Sequence, residues 1–285
     1  MMVIRSVKEM RKFSDSLRDR GEKIAFVPTM GYFHRGHLSL MDEGRKSGDC
    51  LIISIYVNPA QFGPGEDLEK YPRGFETDRK LSEERGVDVI FCPSDSEMYP
   101  EHYQTFVNVE GVTRNLCGLS RPDHFRGVTT ICAKLFNIVK PHVAIFGKKD
   151  FQQLVTVKRM AADLNMDIEV IGMPTVRESD GLAMSSRNTY LKKEERGSAL
   201  SLIRSIKLAK ELYDNGERRA GRIIEEAQKF IEEHSCTKTD YVKICDAATM
   251  NDIEYIRGEA VLALAVEVGI TRLIDSYVFG TPLDI

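Results

Sequence analysis

The chain has 285 residues, which at about 150 residues per domain points to two domains, with a core large enough to need no metal or disulfide staple. Its 42% hydrophobic and 29% charged residues fit a globular protein, and 40 basic against 43 acidic residues leave a net charge of −3. Without a long single-sign block, nucleic acid is disfavoured as the main partner.

The opening, MMVIRSVKEMRKFSDSLRDRGEK, reads as an amphipathic helix and lacks the apolar stretch of a secretion signal. Strands are expected at 23–29 (KIAFVPT), 50–58 (CLIISIYVN), 87–93 (VDVIFCP), 142–147 (HVAIFG) and 167–174 (DIEVIGMP). Each is nearly continuous in apolar residues, as in strands covered on both faces. Helical patterns alternate with them at HLSLMDEGRKSG, FETDRKLSEERG, GVTTICAKLFNIVK and FQQLVTVKRMAADLN. This alternation is the habit of an α/β parallel sheet with crossover helices. Residues 58–74, with three prolines and three glycines, read as a long loop. After about residue 175 the chain changes character. Residues 193–234 carry two helical patterns broken near Asn215 and Gly216, and DYVKICDA, EAVLALAVEVG and TRLIDSYVFG read as a small antiparallel sheet. The expected domains are therefore 1–175 and 176–285, the second a smaller α+β domain.

No run reaches the roughly 18 apolar residues of a membrane span. Cys50, Cys92, Cys117, Cys132, Cys236 and Cys245 form no CxxC pair and no zinc-ligand spacing. They read as reduced core thiols of a cytoplasmic protein.

Three segments carry candidate chemistry. In VPTMGYFHRGHLSL (27–40) a strand ends, Gly31 and Gly36 permit a tight turn, and His34 and His37 open a helix on one face. Free N–H groups and the helix dipole favour an anion there, and the histidines add donors. The competing reading makes His34 a solvent-facing residue and His37 a core histidine. In AIFGKKDFQQL (144–154) Lys148 and Lys149 stand at a strand's carboxyl end, Asp150 caps the next helix, and Gln152 and Gln153 offer amides. A capped, solvated helix start explains the same residues. In RESDGLAMSSRNTYL (177–191) Ser185, Ser186 and Arg187 suit phosphate oxygens, against the reading of a polar linker. KKEER (192–196) reads as a solvated helix start. GxGxxG after the first strand, GxxxxGK[ST] and GxSxG are all missing, which argues against dinucleotide oxidoreductases, P-loop NTPases and α/β-hydrolases.

HRGH after the first strand, with MSSR later in the chain, resembles the HIGH-type nucleotidyltransferases. PTMGYFHRGHLSL, YVNPAQFGPGEDLEKYPR, FGKKDFQQL and GLAMSSRN, in this order, resemble more closely the pantoate–β-alanine ligase family, over nearly the full chain. Lys148 departs from the family, which more often has Glu there. The resemblance implies a Rossmann-like domain at 1–175 and a C-terminal lid at 176–285. It also implies ATP-dependent condensation of pantoate with β-alanine through a pantoyl adenylate, releasing pyrophosphate and AMP, in a cytoplasmic homodimer.

Carried onto this sequence, the resemblance makes His37, His34 and Lys149 catalytic. It places ATP against Met30, Gly31, Tyr32, Phe33, His34, Arg35, Gly36 and His37, against Gly147, Lys148, Lys149 and Asp150, and against Val176, Met184, Ser185, Ser186 and Arg187. Gln61 and Gln153 would hold pantoate with Asn58 nearby, and Mg²⁺ would come with ATP, Asp78 assisting. A cytidylyltransferase would need no pantoate contacts such as Gln61 and Gln153. A non-catalytic nucleotide-binding module would show a degraded polar set.

Overall fold

A computed structural model describes residues 1–283. The first part of the chain runs β1 (Met2–Ile4), α1 (Val7–Asp19), β2 (Ile24–Thr29), α2 (Arg35–Ser47), β3 (Cys50–Ile55), α3 (Phe75–Glu84), β4 (Val89–Phe91), α4 (Asp95–Met98), α5 (Cys117–Ser120), α6 (His124–Val139), β5 (Val143–Gly147), α7 (Phe151–Asp163) and β6 (Glu169–Met173). The strands form one six-stranded sheet in the order β1-β4-β3-β2-β5-β6, and every pairing is parallel. All five apolar runs expected as strands are present.

Ile24, Ala25, Phe26 and Val27 of β2, and Leu51, Ile52 and Ile53 of β3, are fully buried. These central strands are covered on both faces, which is why their sequence does not alternate. From β2 the chain proceeds to β3 and β4 on one side, while β5 and β6 lie on the other. The order reverses between β2 and β5, and open α/β sheets bind ligands outside the carboxyl ends of their strands at such a switch. Thr29 and Gly147 end the two strands that border it.

The remainder runs α8 (Arg196–Ala199), α9 (Ser201–Asp214), α10 (Ala220–Glu232), β7 (Thr237–Asp246), β8 (Ala260–Val268) and β9 (Thr271–Val278). The three strands make an antiparallel sheet in the order β7-β8-β9. Gly216 breaks the helical pattern with φ +96, which a side chain would resist. Leu202, Ile206, Ile223, Ile231, Leu262 and Leu264 share one core there. The chain divides into two compact units. Met1–Val109, Arg121–Gly147 and Thr156–Met173 form the first; Glu110–Ser120, Lys148–Val155 and the chain from Pro174 form the second. Among the described residues no helix is long and apolar enough to cross a membrane.

Three expectations need correcting. The opening is not helical throughout: Met2–Ile4 pairs with Val89–Phe91 as an edge strand, and the helix begins at Val7. KKEER is solvated only in part: Lys192, Lys193 and Glu194 are exposed, but Glu195 is buried and accepts the N–H of Lys192 at 2.9 Å. Nor are the cysteines all core thiols. Cys50, Cys132 and Cys245 are buried, Cys92 and Cys117 half-buried, and Cys236 exposed. Burial pushes the Cys132 thiol up to about 12, which keeps it protonated and inert.

Candidate active site

In the first unit, β2 ends in a turn whose backbone is left-handed twice in succession, at Gly31 (φ +85) and Tyr32 (φ +54). A Cβ on Gly31 would lie 3.0 Å from both Asp78 Oδ2 and Ile55 Cγ2, so this position takes glycine. Tyr32 holds the same conformation against its side-chain penalty. Asp78, in the first turn of α3, supplies the restraint: Oδ2 accepts Tyr32 N–H at 2.7 Å and Oδ1 accepts Phe33 N–H at 2.8 Å. Asp78 is 2% exposed. Burial pushes its carboxyl above the ordinary range, and the two N–H donors oppose that rise.

The turn delivers His34 to the N-cap of α2. His34 Nδ1 accepts Gly36 N–H at 3.1 Å, and His37 Nδ1 accepts His34 N–H at 3.3 Å, a reciprocal capping box built from two imidazoles. The ring centroids are 4.0 Å apart, with Phe33 5.4 Å from His37. A neutral imidazole whose Nδ1 accepts carries its proton on Nε2. Both rings therefore offer an Nε2–H donor beside the positive end of the helix, a constellation suited to phosphate oxygens. Both histidines are only partly buried, against the core reading of His37, and Arg35 is exposed.

Met30 and Gln61 also come together: Gln61 Nε2 lies 3.1 Å from Met30 Sδ. Gln61 ends a 3₁₀ turn, Pro59–Gln61, inside the expected loop. Asn58 is 1% exposed, and its amide is engaged with Ala60, Gln61, Gly127 and Tyr99. From inside the fold it props Gln61 through its Nδ2, 3.2 Å from Gln61 Oε1. Gln61 O accepts Arg121 Nη2 at 3.2 Å and lies 2.9 Å from His124 Nδ1. Asp78 likewise has both oxygens on backbone N–H groups, so its structural part is to hold the turn. A cavity of about 680 Å³ opens at the carboxyl ends of β2, β3 and β4, lined among others by Met30, Gly31, Tyr32, Tyr56, Arg73 and Asp95. Gly147, ending β5, has nothing within 4 Å of where a Cβ would stand.

In the second unit, Lys148–Asp150 is a 3₁₀ turn running into α7. Ser276 Oγ donates to Lys148 O at 2.8 Å, tying the turn to β9. Lys149 is half-buried, while Lys148 and Asp150 are exposed. The neighbouring glutamines separate. Gln152 is 7% exposed, donates to Val112 O and Asn115 O at 3.0 and 2.8 Å, and accepts Cys117 N–H at 3.1 Å. Its amide belongs to the fold, whereas Gln153 is half-buried on the next helical position.

The segment 176–190 is no loose linker. Met184 N–H donates to Val176 O at 3.0 Å and Glu178 N–H to Leu182 O at 2.8 Å, so Val176 and Met184 stand side by side. Arg177 and Asp275, each side chain 2% exposed, make a bidentate ion pair at 2.6 and 3.1 Å. Arg196 pairs with Glu178 at 2.6 Å and Asp180 at 2.8 Å. Ser185 Oγ accepts Arg187 N–H at 3.3 Å, capping the 3₁₀ turn Ser186–Tyr190. Ser186 is 6% exposed, and Ser185 and Arg187 are half-buried. Not foreseen from the sequence are Arg177–Asp275, the holding role of Asp78, and the support of Gln61 by Arg121 and His124, all of which join residues far apart in the chain.

A family model described as pantoate-beta-alanine ligase matches residues 2–278. The pantothenate synthetase of Syntrophus aciditrophicus (strain SB) is 66% identical over 285 residues, covering 100% of both chains. That of Geotalea uraniireducens (strain Rf4) is 53% identical over 98% of this chain and 99% of its own. Among solved structures, pantothenate synthetase from Thermus thermophilus superposes with a TM-score of 0.92 at 41% identity, covering 97% of this chain and 99% of that one. Pantoate-beta-alanine ligase from Francisella tularensis, complexed with beta-gamma ATP and beta-alanine, gives a TM-score of 0.82 at 29% identity, covering 99% of each.

Proposed function

The chain belongs to the pantoate–β-alanine ligase family, which forms pantothenate from pantoate and β-alanine, and from that premise we propose how its residues conduct the reaction. A pantoate carboxylate oxygen attacks the α-phosphorus of ATP, and the bond to pyrophosphate breaks. The amine of β-alanine then attacks the acyl carbon of pantoyl adenylate, AMP departs with the bonding pair, and the amine loses a proton. The carboxylate is already nucleophilic at neutral pH, so the protein's task is positioning and charge stabilisation.

The observation that carries this reading is the pair of imidazoles of His34 and His37, each with its Nδ1 accepting a backbone N–H in the capping box at the N-terminus of α2. Charge that builds on the phosphate oxygens meets donors already oriented, with no reorganisation during the step. The segment Met30–His37 takes the nucleotide, with Gly147–Asp150 and the half-buried Lys149 also assigned to it. Val176 takes the adenine end, and Met184–Arg187 takes the phosphates, Ser185 and Arg187 through their side chains. Gln61 and Gln153 take pantoate. Among the described residues no three His, Cys, Asp or Glu side chains gather as a cation site. This donor set fits a Mg²⁺ held through phosphate oxygens and water rather than a protein cage. When bound, the ion neutralises phosphate charge.

We assign the protein to the cytoplasm as a homodimer on its resemblance to the family, and sedimentation of the purified chain checks the dimer. His37→Ala is expected to leave the melting temperature within a few degrees of wild type and to reduce pantoate-dependent pyrophosphate release by at least about 100-fold, the scale of one preorganised donor. Near-normal release from a folded His37→Ala variant would remove the histidine pair from the reaction.

A further inference from the structure

A chain of hydrogen bonds in the first unit decides which end of the Gln61 amide is presented. Asn58 Oδ1 faces the N–H of Ala60 at 3.3 Å, and Asn58 Nδ2 faces Gly127 O at 3.1 Å. A backbone donor on one side and a backbone acceptor on the other permit a single orientation of that amide. Tyr99 must then donate its hydroxyl to Asn58 Oδ1, at 2.7 Å. Asn58 Nδ2 in turn donates to Gln61 Oε1 at 3.2 Å. With Oε1 engaged as an acceptor, the amide's donor end, Nε2, points the other way, toward Met30 Sδ.

The rest of Gln61 is held independently. Arg121 and His124 engage its carbonyl. Gly127 brings α6 against the Pro59–Gln61 turn so closely that a Cβ would fall 2.2 Å from Ala60 O. Tyr99 is itself fixed, with Tyr103 edge-on at 5.0 Å between ring centroids. Burial pushes its hydroxyl well above the ordinary tyrosine range, so it stays a donor at any working pH.

We propose that Tyr99 is a positioning residue for pantoate, acting through Asn58 to make Gln61 meet the substrate as a hydrogen-bond donor. The proposal rests on the assignment of Gln61 to pantoate made above. It implies that Nε2–H of Gln61 is directed at a pantoate oxygen lone pair. If Tyr99 cannot donate, Asn58 Oδ1 keeps only the longer bond from Ala60 N–H, the amide is held less tightly, and Gln61 can turn its oxygen outward, where it repels the same substrate atom.

The test is a double-mutant cycle on the full-length enzyme with Tyr99→Phe, Gln61→Ala and the pair, reading KM for pantoate and for ATP. Tyr99→Phe is expected to raise the pantoate KM about tenfold, leave the ATP KM unchanged, and add nothing in the Gln61→Ala background. Tenfold corresponds to about 1.4 kcal/mol, the scale of one hydrogen bond. An unchanged pantoate KM, an equal rise in both KM values, or additive effects in the pair would overturn the proposal. A Gln61→Ala enzyme with normal pantoate KM would instead overturn the assignment of Gln61. Should Tyr99→Phe fail to fold, Asn58→Asp reads the same relay, since its carboxylate has no proton for Gln61 Oε1. The expected result is again a rise confined to pantoate, and equal KM values to wild type would overturn the proposal.

Discussion

Asp78 shows how one buried carboxylate can hold a functional turn without touching a ligand. Its two oxygens accept consecutive N–H groups of a turn with positive φ at Gly31 and Tyr32. Removing Asp78, itself 2% exposed, leaves two N–H donors without their acceptor, and each charge-assisted bond of this kind contributes about 1.5–3 kcal/mol. Asp78→Ala is therefore expected to lose about 3 kcal/mol in denaturant unfolding and to slow pantoate-dependent pyrophosphate release. An unchanged unfolding midpoint would contradict the role. His34, His37, Gln61 and Lys149 each stand in a local motif, which is what singles them out in the sequence as candidates. The work of Asp78 is not legible there, since its partners lie 45 and 46 positions away in the chain. Spacing and residue type do not separate Gln152 from Gln153, which only the family resemblance tells apart, by assigning pantoate to Gln153. The position of Val112, Asn115 and Cys117 commits Gln152 to the fold.

Among the elements, the central strands read correctly because burial on both faces leaves an unbroken apolar run. β1 escaped notice because three residues carry no period, and its partner β4 is distant in sequence. The segment 176–190 was legible as polar but not as structured, because its order comes from ion pairs made across the chain. Arg196 illustrates this, binding Glu178 and Asp180 and holding the Asp180 carboxyl below the usual aspartate range. An acid whose pKa is depressed on folding stabilises the fold above its unfolded pKa and ceases to do so as pH falls through the folded value. The melting-temperature gap between wild type and Arg196→Ala is therefore expected to be constant above about pH 5 and to shrink below about pH 4. A gap that widens toward low pH would contradict the pairing.

At the scale of the molecule, each unit carries its own core and its own share of polar chemistry. The parallel sheet places the histidine pair and Gln61 at the carboxyl ends of β2 and β3. The antiparallel sheet anchors the Lys148–Asp150 turn through Ser276 and, through Asp275, the segment that begins at Arg177. The central claim is that this chain activates pantoate as an adenylate before the amine arrives. The most direct measurement is rapid-quench chemistry with stoichiometric enzyme, Mg-ATP and pantoate, omitting β-alanine. A burst of about one pyrophosphate per active site is expected, with AMP retained in the acyl-phosphate anhydride, then free AMP and pantothenate once β-alanine is added. Formation of ADP and phosphate, or pyrophosphate release that waits for β-alanine, would contradict it.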